Sequence, residues 1–483
     1  MENVRSIAKN TLMVFFARCL NSIFGFITTI VLARCLSIGE YGKFTYIYTL
    51  ISFTVLVADL GGFQVITREL SRGQGNAKNI ISSALILRIF ISAFLLIFIG
   101  ILTHFTQKDF TIKIAIYIVT IPQLIFALNT IFVAVFTANN RFGFDSLMQI
   151  TSRIIEFLAI ILVVYFNLGF IALFAGIGIS YLINGFLGLF MYLKNYNLPL
   201  FQYDLKYCKY LLYESLPIAI TTFLAIAILR IDIFVLKLLK DTTDIAFFNV
   251  PYVFIYTLVI VPQSFVSVIF PILCKLGSSE EKSKFVFGYG KAFKFLYIIS
   301  IPISMILICF AETILKFTYG TKFLASTDAL KIMGLSIVFL FLNSLNTFTL
   351  ISIKKQHLST ISTAIAFLVN LVFDLILIPE YGFLGASIAT TLCYGIYFVL
   401  TFYFVSQALG CLNLMYTFIK PALCAGAMAL FITYFHNTNL LIILPAGIII
   451  YVLSLIITRV FPVEDIELAK SLLFPSTTRH SES

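Results

Sequence analysis

The sequence predicts an all-α polytopic membrane protein, and two observations support this fold class. Hydrophobic residues make up 60% of the 483 residues and charged residues only 11%, with a mean hydropathy of +1.03. Soluble chains of ordinary composition carry about a quarter charged residues. Apolar runs of about 20 residues, the length that crosses a bilayer as a helix, recur from residue 12 to residue 459.

Each apolar run predicts one membrane-spanning helix, and together they predict fourteen. The predicted spans are 12–33, 44–65, 80–103, 112–137, 147–166, 169–193, 211–238, 246–273, 291–311, 329–352, 358–378, 382–406, 415–435 and 440–459. A polar, glycine-containing turn is expected over 37–42, before the second helix. The tightest turns are expected at 167–169 and 379–382, where Gly and Pro interrupt the runs.

The chain also repeats itself loosely, because the stretch that begins at Asn167 resembles the stretch that begins at Glu380. The repeat predicts an N-terminal lobe (1–207, helices 1–6), a C-terminal lobe (208–407, helices 7–12), two extra helices (408–459) and a cytoplasmic tail (460–483). Repeated halves are typical of transporters whose substrate path lies between them.

The loop charges predict the orientation of the chain in the membrane. Seventeen Lys and Arg residues lie in one set of loops and eight in the alternate set. The positive-inside rule makes the first set cytoplasmic, so both termini are expected there. The net charge of +11 is spread over these short loops, which favours contact with lipid headgroups over nucleic acid. The apolar run behind the N-terminus is expected to be a retained first helix.

Catalytic and metal chemistry find little support in the sequence. The eight cysteines and four histidines are scattered, without CxxC or Cys/His ligand spacing. There is no P-loop and no nucleophile–base arrangement. We therefore expect no enzyme activity, no catalytic residue, no metal site and no cofactor.

Nine of the ionisable residues within the predicted spans are the candidate functional residues. A charge facing lipid at mid-bilayer costs about 2.5–3.5 kcal/mol, so most of them should face a wet cavity, pair internally or snorkel. They are Arg18, Asp59, Arg88, Arg153, Glu156, Glu214, Arg230, Asp232 and Asp374.

Several of these residues have a structural interpretation beside the functional one. Arg153 and Glu156 are spaced i,i+3, which fits an ion pair as well as a functional role. Arg18 and Arg88 either snorkel to the cytoplasmic surface or line a cavity. Asp374 either caps its helix or functions in transport.

Two further positions complete this set. Arg230 and Asp232 are spaced i,i+2 and are expected to point in different directions, so they are not expected to be merely partners of each other. Glu214 lies near the cytoplasmic end of its span and is expected to be solvated.

The chemistry of the set suggests two roles. Guanidinium groups bind phosphate bidentately, so the candidate substrate-binding residues are Arg18, Arg88, Arg153 and Arg230. Buried carboxylates suit coupling to H⁺ or Na⁺. The candidate ion-coupling groups or charge partners are Asp59, Glu156, Asp232 and Asp374.

Four motifs occur in fixed order: Ala33-Arg34 followed by 39–44, residues 58–62 followed by 67–70, Arg230-Ile231-Asp232, and residues 377–390. Together they resemble the motifs of bacterial polysaccharide exporters of the O-antigen flippase type. The resemblance implies the MATE-like fold of the multidrug/oligosaccharidyl-lipid/polysaccharide exporter superfamily. The chain departs from the family pattern at Ala246, where glycine is usual, and at Asp374, where asparagine is more usual.

The resemblance also implies a function. The flippase branch moves undecaprenyl-diphosphate-linked oligosaccharide from the cytoplasmic to the periplasmic leaflet of the bacterial inner membrane, by alternating access and ion-coupled antiport. The implied partners are the lipid-linked oligosaccharide, membrane lipids, a polysaccharide polymerase and a chain-length regulator. Two alternatives remain: a multidrug or lipid II exporter of the same superfamily, and a membrane polymerase or glycosyltransferase.

Overall fold

The computed structural model describes residues 2–72, 77–196, 204–277, 282–410, 415–435 and 440–460. Regular structure in these ranges is helical throughout. The predicted tail, 460–483, lies outside them except for Val460.

The helices follow one another with short connections. In chain order they are α1 (Glu2–Cys35), α2 (Ile38–Asp59), α3 (Gly62–Arg72), α4 (Ala77–Thr106), α5 (Phe110–Ala138), α6 (Phe142–Tyr165), α7 (Phe170–Asn195), α8 (Leu205–Leu239), α9 (Thr242–Leu258), α10 (Ile260–Gly277), α11 (Lys282–Cys309), α12 (Ala311–Thr318), a 3-10 helix (Thr321–Ser326), α13 (Thr327–Ser352), α14 (Gln356–Tyr381), α15 (Phe383–Leu409), α16 (Met415–Tyr434) and α17 (Leu440–Ile457).

The described helices confirm an all-α, multi-pass membrane protein. Within the described ranges, eleven helical stretches are long and apolar enough to cross a membrane. Three shorter apolar stretches lie where the first, thirteenth and fourteenth spans were predicted: Cys19–Cys35, Phe418–Tyr434 and Ile442–Ile457. The total of fourteen membrane-spanning helices stays a prediction.

The predicted turn over 37–42 is wrong, because most of these residues form the first turns of α2. Ser37 is the N-cap: its hydroxyl accepts from the backbone N–H of Glu40 at 3.3 Å, and its own N–H donates to the Glu40 carboxylate at 3.0 Å. This reciprocal capping box satisfies two N–H groups that a helix start otherwise leaves unpaired. Polar residues that resembled a turn therefore start the helix.

The predicted second span, 44–65, is not one continuous helix. Leu60 (φ 43°) and Gly61 (φ 71°) adopt left-handed backbone conformations and separate α2 from α3. A side chain at Gly61 would lie 2.9 Å from the carbonyl oxygen of Ser215 in α8, so glycine permits a close approach of the two backbones. The left-handed conformation of Leu60 costs about 1–2 kcal/mol.

Two further boundaries differ from the predictions. The predicted span 246–273 is divided after Leu258, because Pro262 has no N–H to continue the helical hydrogen bonding there. Pro379 lies within α14, and the chain turns instead at Gly382, whose φ is +56°.

The turn at 167–169 is confirmed, with Asn167 and Gly169 both at positive φ. The helix α12 and the 3-10 helix were not predicted.

The chain divides into two compact units. The first contains Met1–Ile260, Leu315–Ala329 and Thr360–Cys393; the second contains Val261–Ile314, Leu330–Ser359 and Tyr394–Ser483. No observation tests the predicted division at residues 207 and 407.

Each unit has its own packing. In the first unit α5 packs on α7, α6 on α1 and α7, and α2 on α9. Eight of the nine candidate functional residues have described side chains, and all eight lie in this unit. In the second unit α16 packs on α11 and α17. A buried polar chain there links Tyr289 to Asn346 at 2.7 Å and Asn346 to Thr401 at 3.2 Å.

Candidate functional site

Asp59 and Arg88 form a buried ion pair at the break between α2 and α3. Arg88 Nη2 lies 2.6 Å from Asp59 Oδ1, and the arginine side chain is only 4% exposed. Arg88 Nη1 donates to the carbonyl oxygen of Ala127 and to Thr130 Oγ1. Asp59 Oδ2 also accepts from the N–H of Phe63 in the first turn of α3. Arg88 therefore does not snorkel, and its pair with Asp59 stabilises the helix break.

A small cavity lies beside this ion pair. It is walled by Asp59, Leu60, Gly62, Ile66, Ala84, Leu87, Arg88, Ile91, Leu211, Leu212 and Ser215. The cavity volume is about 20 Å³, which is room for roughly one water molecule. The cavity can hydrate the ion pair, but it is too small for a sugar or a diphosphate.

Arg153 and Glu156 form a second ion pair on α6. Arg153 Nη1 lies 2.9 Å from Glu156 Oε2, and the glutamate side chain is only 6% exposed. Arg153 Nε donates to the carbonyl oxygen of Asn21 at 3.4 Å, and Nη1 lies 3.5 Å from the Tyr48 hydroxyl. A Cβ at Gly25 would lie 2.4 Å from Arg153 Nη2, so glycine leaves room for the guanidinium on α1. The i,i+3 ion pair considered from the sequence is thus present.

Arg230 and Asp232 point to different neighbours, as their spacing predicts. The guanidinium carbon of Arg230 lies 5.1 Å from the ring centroid of Tyr252, within cation–π distance. The Arg230 residue is half-buried, whereas Asp232 is fully buried.

Asp232, Asn370, Asp374 and Thr390 form a fully buried polar cluster contributed by α8, α14 and α15. The amide nitrogen of Asn370 lies 3.0 Å from Asp232 Oδ1 and 3.0 Å from Asp374 Oδ2. The hydroxyl of Thr390 donates to Asp232 Oδ1 at 2.8 Å. Asp374 therefore does not simply cap its helix, because its side chain belongs to this cluster.

The turn between α14 and α15 positions this cluster. A Cβ at Gly385 would lie 2.5 Å from the carbonyl oxygen of Leu377, so glycine lets the two helices approach closely. Asp244 at the start of α9 accepts from the N–H of Phe383 at 3.0 Å and fixes the start of α15. Thr390 on α15 and Asn370 on α14 both donate to Asp232 Oδ1.

The cluster has acceptor capacity that the protein does not use. Asp232 Oδ2, Asp374 Oδ1 and Asn370 Oδ1 are buried without a hydrogen-bond partner. None of the described Lys and Arg side chains forms an ion pair with these carboxylates. Carboxylate, amide and hydroxyl oxygens are the ligands that hard cations prefer. The arrangement can therefore accept a proton or a small hard cation.

The remaining candidates are placed less fully. The side chain of Arg18 lies outside the described part of the structure, so its role stays a prediction. Glu214 is not simply solvated, because it pairs with Arg68 at 2.8 Å. Among the described residues, no group of three His, Cys, Asp or Glu side chains is placed to hold a metal ion.

Sequence reasoning missed Asn370 and Thr390, although signals for both existed. Asn370 lies one helical turn before Asp374 and therefore shares its face. Thr390 ends the motif over 377–390. Neither residue carries a charge, so neither entered a search for ionisable groups.

Curated relatives cover the chain to different extents. An uncharacterized membrane protein of Methanocaldococcus jannaschii is 29% identical over 143 residues, which span 30% of this chain and only 28% of that protein. A putative O-antigen transporter of Shigella flexneri is 22% identical, covering 80% of this chain and 94% of the relative. A probable low-salt glycan biosynthesis flippase of Haloferax volcanii is 21% identical, covering 83% and 84%.

Solved structures share the fold. The lipid II flippase MurJ in an inward closed conformation has a TM-score of 0.76 and 17% identity, and covers 98% of this chain and 100% of its own. An inward-facing multidrug resistance MATE family transporter of the MOP superfamily has a TM-score of 0.67 and 16% identity, covering 80% and 94%. The expectation of a MATE-like fold is confirmed.

Two family models match the sequence directly. The model described as MatE matches residues 217–376. The model described as polysaccharide biosynthesis protein matches residues 7–277, more than half of the chain. The chain therefore belongs to the polysaccharide biosynthesis protein family, and it has the fold of the exporter superfamily that the sequence motifs resemble.

Proposed function

We propose that this protein is an ion-coupled flippase for undecaprenyl-diphosphate-linked oligosaccharide, the repeat unit of O-antigen or a similar surface polysaccharide. It moves this lipid by alternating access from the cytoplasmic to the periplasmic leaflet of the bacterial inner membrane, with both termini cytoplasmic. Family membership and the likeness to a putative O-antigen transporter of Shigella and a probable glycan biosynthesis flippase of Haloferax support the substrate class. A polysaccharide polymerase and a chain-length regulator are the expected partners.

The observation that carries the ion coupling is the buried cluster of Asp232, Asn370, Asp374 and Thr390. Two carboxylates without a cationic partner are expensive to bury. A bound proton or Na⁺ offsets that cost, and ionisable groups of this kind mark ion pathways in transporters. We therefore assign ion coupling to Asp232 and Asp374, with Asn370 and Thr390 as further ligands or hydrogen-bond donors.

The arginines supply the anion-binding side of the proposal. Protein contacts use only part of the hydrogen-bonding capacity of Arg153 and Arg230. Their remaining N–H groups suit a diphosphate. Arg18 and Arg88 remain candidates, although the Arg88 guanidinium is bound by protein groups in this conformation. Asp59 and Glu156 serve as charge partners of Arg88 and Arg153.

A transport assay in proteoliposomes tests this proposal. The full chain is reconstituted with fluorescent undecaprenyl-diphosphate oligosaccharide, and transfer between leaflets is followed under an imposed Na⁺ or H⁺ gradient. One of the two gradients should accelerate transfer by the wild type, and Asp232→Asn should remove that acceleration. Glu380→Gln, at an exposed carboxylate on α14, should leave it unchanged.

The same assay separates the alternatives. If the wild type moves no lipid-linked oligosaccharide under either gradient, the proposed function is wrong. Transfer of lipid II, or export of a cationic dye such as ethidium, would assign the chain to the rival branches of the superfamily. Polymer formation from the lipid-linked substrate would indicate a polymerase or glycosyltransferase.

A further inference from the structure

Arg68 joins α3 to α8 on the side of the membrane predicted to be cytoplasmic. Its Nη2 lies 2.8 Å from Glu214 Oε2 on α8. Its Nε and Nη2 also donate to Glu69 Oε1, at 3.1 and 3.0 Å, and the Tyr210 hydroxyl donates to the same oxygen at 3.3 Å. One guanidinium therefore links two carboxylates from different helices.

The two carboxylates differ in how firmly they are held. The Glu69 side chain is 8% exposed, whereas Glu214 is 42% exposed and Arg68 is 35% exposed. Exposed ion pairs contribute little stability, so Glu214 is the partner that is easily replaced. Buried Glu69 instead keeps the guanidinium in place. The bonds to both carboxylates use Nε and Nη2, so Nη1 is left for a further acceptor.

The position of Arg68 means that replacing Glu214 by another acceptor would affect the contact between α3 and α8. The helix α3 is short and is separated from α2 by the break at Leu60 and Gly61. Replacement of Glu214 would remove one tie between α3 and α8, whereas Glu69, which Tyr210 of α8 also contacts, would still hold the Arg68 guanidinium. A guanidinium binds phosphate oxygens bidentately, which a single carboxylate oxygen from Glu214 does not match.

We propose that Arg68 is the first residue to bind the diphosphate group of the lipid-linked substrate, and that Glu214 is the competitor which the diphosphate displaces. Substrate arrival then removes one of the ties between α3 and α8 and loosens their contact. This inference rests on the proposed function, because it assigns to Arg68 the entry step of the same transport reaction. Arg68 is a specificity-determining residue outside the set of intramembrane arginines.

Binding measurements on the full chain in nanodiscs test this inference. The probe is undecaprenyl diphosphate, and its affinity is compared between the wild type, Arg68→Gln and Glu214→Gln. Arg68→Gln should weaken binding about tenfold or more, since it removes charge-assisted hydrogen bonds worth about 1.5–3 kcal/mol, and each 1.4 kcal/mol is about tenfold. Glu214→Gln should strengthen binding severalfold, because it removes the competitor. The control Arg72→Gln, an exposed arginine of α3, should change the affinity less than about twofold.

Opposite signs for the two variants are the decisive result. A purely structural ion pair would shift the affinity in the same direction in both, and that outcome overturns the inference. Hydrogen exchange of residues 62–72 should rise when undecaprenyl diphosphate binds to the wild type, and an unchanged rate also counts against displacement of Glu214.

Two further arms separate the possible phosphate sources and the two proposals. Phosphatidylglycerol and undecaprenyl monophosphate should bind more weakly than the diphosphate; equal binding would indicate a general anionic-lipid site and overturn the inference. If the wild type neither binds nor transfers the lipid-linked substrate, the proposed function fails as well. If transfer is normal but Arg68→Gln binds like the wild type, the inference alone fails.

Discussion

Two buried polar groups of the first unit handle charge in opposite ways. The pair Arg153–Glu156 on α6 balances its charges internally at 2.9 Å. The cluster around Asp232 and Asp374 contains two carboxylates, one amide and one hydroxyl, with three buried oxygens that have no partner. A balanced buried pair needs no further counter-ion, whereas a bound proton or cation would balance the carboxylate cluster. Burial of charge alone therefore does not distinguish the two groups, and the proposed assignment of ion coupling rests on the missing counter-charge.

The loose sequence repeat sharpens this difference. An offset of 213 residues relates positions 169 and 382, since 382 minus 169 is 213. The same offset places Ala366 where the first copy has Arg153, and Ile161 where the second copy has Asp374. Each copy thus carries an ionisable group where the other is apolar. The two copies share helix pattern and turn chemistry but differ in their buried charges.

The largest expected effect comes from breaking the balanced pair. Glu156→Gln leaves the half-buried guanidinium of Arg153 without its counter-charge, and loss of one partner of a buried ion pair costs up to about 3–5 kcal/mol. The double variant Arg153→Leu/Glu156→Leu removes both charges and should recover most of that loss. Thermal unfolding of the purified protein in detergent measures both effects. If the double variant is as unstable as Glu156→Gln, the instability does not come from the unpaired charge.

The unbalanced cluster should respond to cations instead. A cation that binds the folded protein at 100 times its Kd stabilises it by about 2.7 kcal/mol. If Na⁺ is the coupling ion, it should raise the thermal unfolding midpoint of the wild type relative to choline at matched ionic strength, and Asp232→Asn should abolish that rise. Without Na⁺, Asp232→Asn should be at least as stable as the wild type, because it removes one of two neighbouring carboxylates.

The control for this experiment is the balanced pair itself. The Arg153→Leu/Glu156→Leu variant should keep the full Na⁺ response, since it leaves the cluster intact. A Na⁺ response that survives in both Asp232→Asn and Asp374→Asn would place the cation elsewhere. A thermal unfolding midpoint that changes with pH but not with Na⁺ would indicate that the proton is the coupling ion.

Sequence reasoning predicted local relationships well and distant ones poorly. The membrane class and most helices followed from apolar runs of bilayer length, and the i,i+3 spacing predicted the contact between Arg153 and Glu156. The partners of Asp232, by contrast, are 138 and 158 residues away in the chain. Periodicity tells which face of a helix a residue occupies, but not which other helix packs against that face.

The break between α2 and α3 shows the same limit. Gly61 and Gly62 marked a place where backbones can approach, yet the apolar run continued across it to Val65. The helix ends there because α8 packs against Gly61 and because Asp59 pairs with Arg88 on α4. Tertiary contacts therefore decide a helix boundary that hydropathy alone would place later.

The smallest expected effect concerns the ion pair Lys43–Asp109, which is more exposed to solvent than Arg153–Glu156. Lys43 Nζ lies 2.5 Å from Asp109 Oδ2, and the two side chains are 28% and 33% exposed. The hydrogen bond from Lys43 lowers the pKa of Asp109 below its ordinary value, against an opposing contribution from burial, and the N–H of Thr111 lowers it further. A carboxyl whose pKa is lowered by folding stabilises the folded state above its unfolded pKa of about 3.9. That contribution is lost as the pH falls through the lowered folded-state pKa.

Asp109→Asn tests this contribution while it keeps the helix cap, because asparagine can still accept from the N–H of Thr111. At pH 6 the variant should be less stable by under about 1 kcal/mol, the usual range for exposed pairs. The difference should shrink as the pH is lowered from 5 to 3, and also at 1 M salt, where the Debye length is about 3 Å. Thermal unfolding across these conditions measures it. A difference that grows on acidification would contradict the lowered pKa, and one that ignores salt would show that this pair behaves like the buried one.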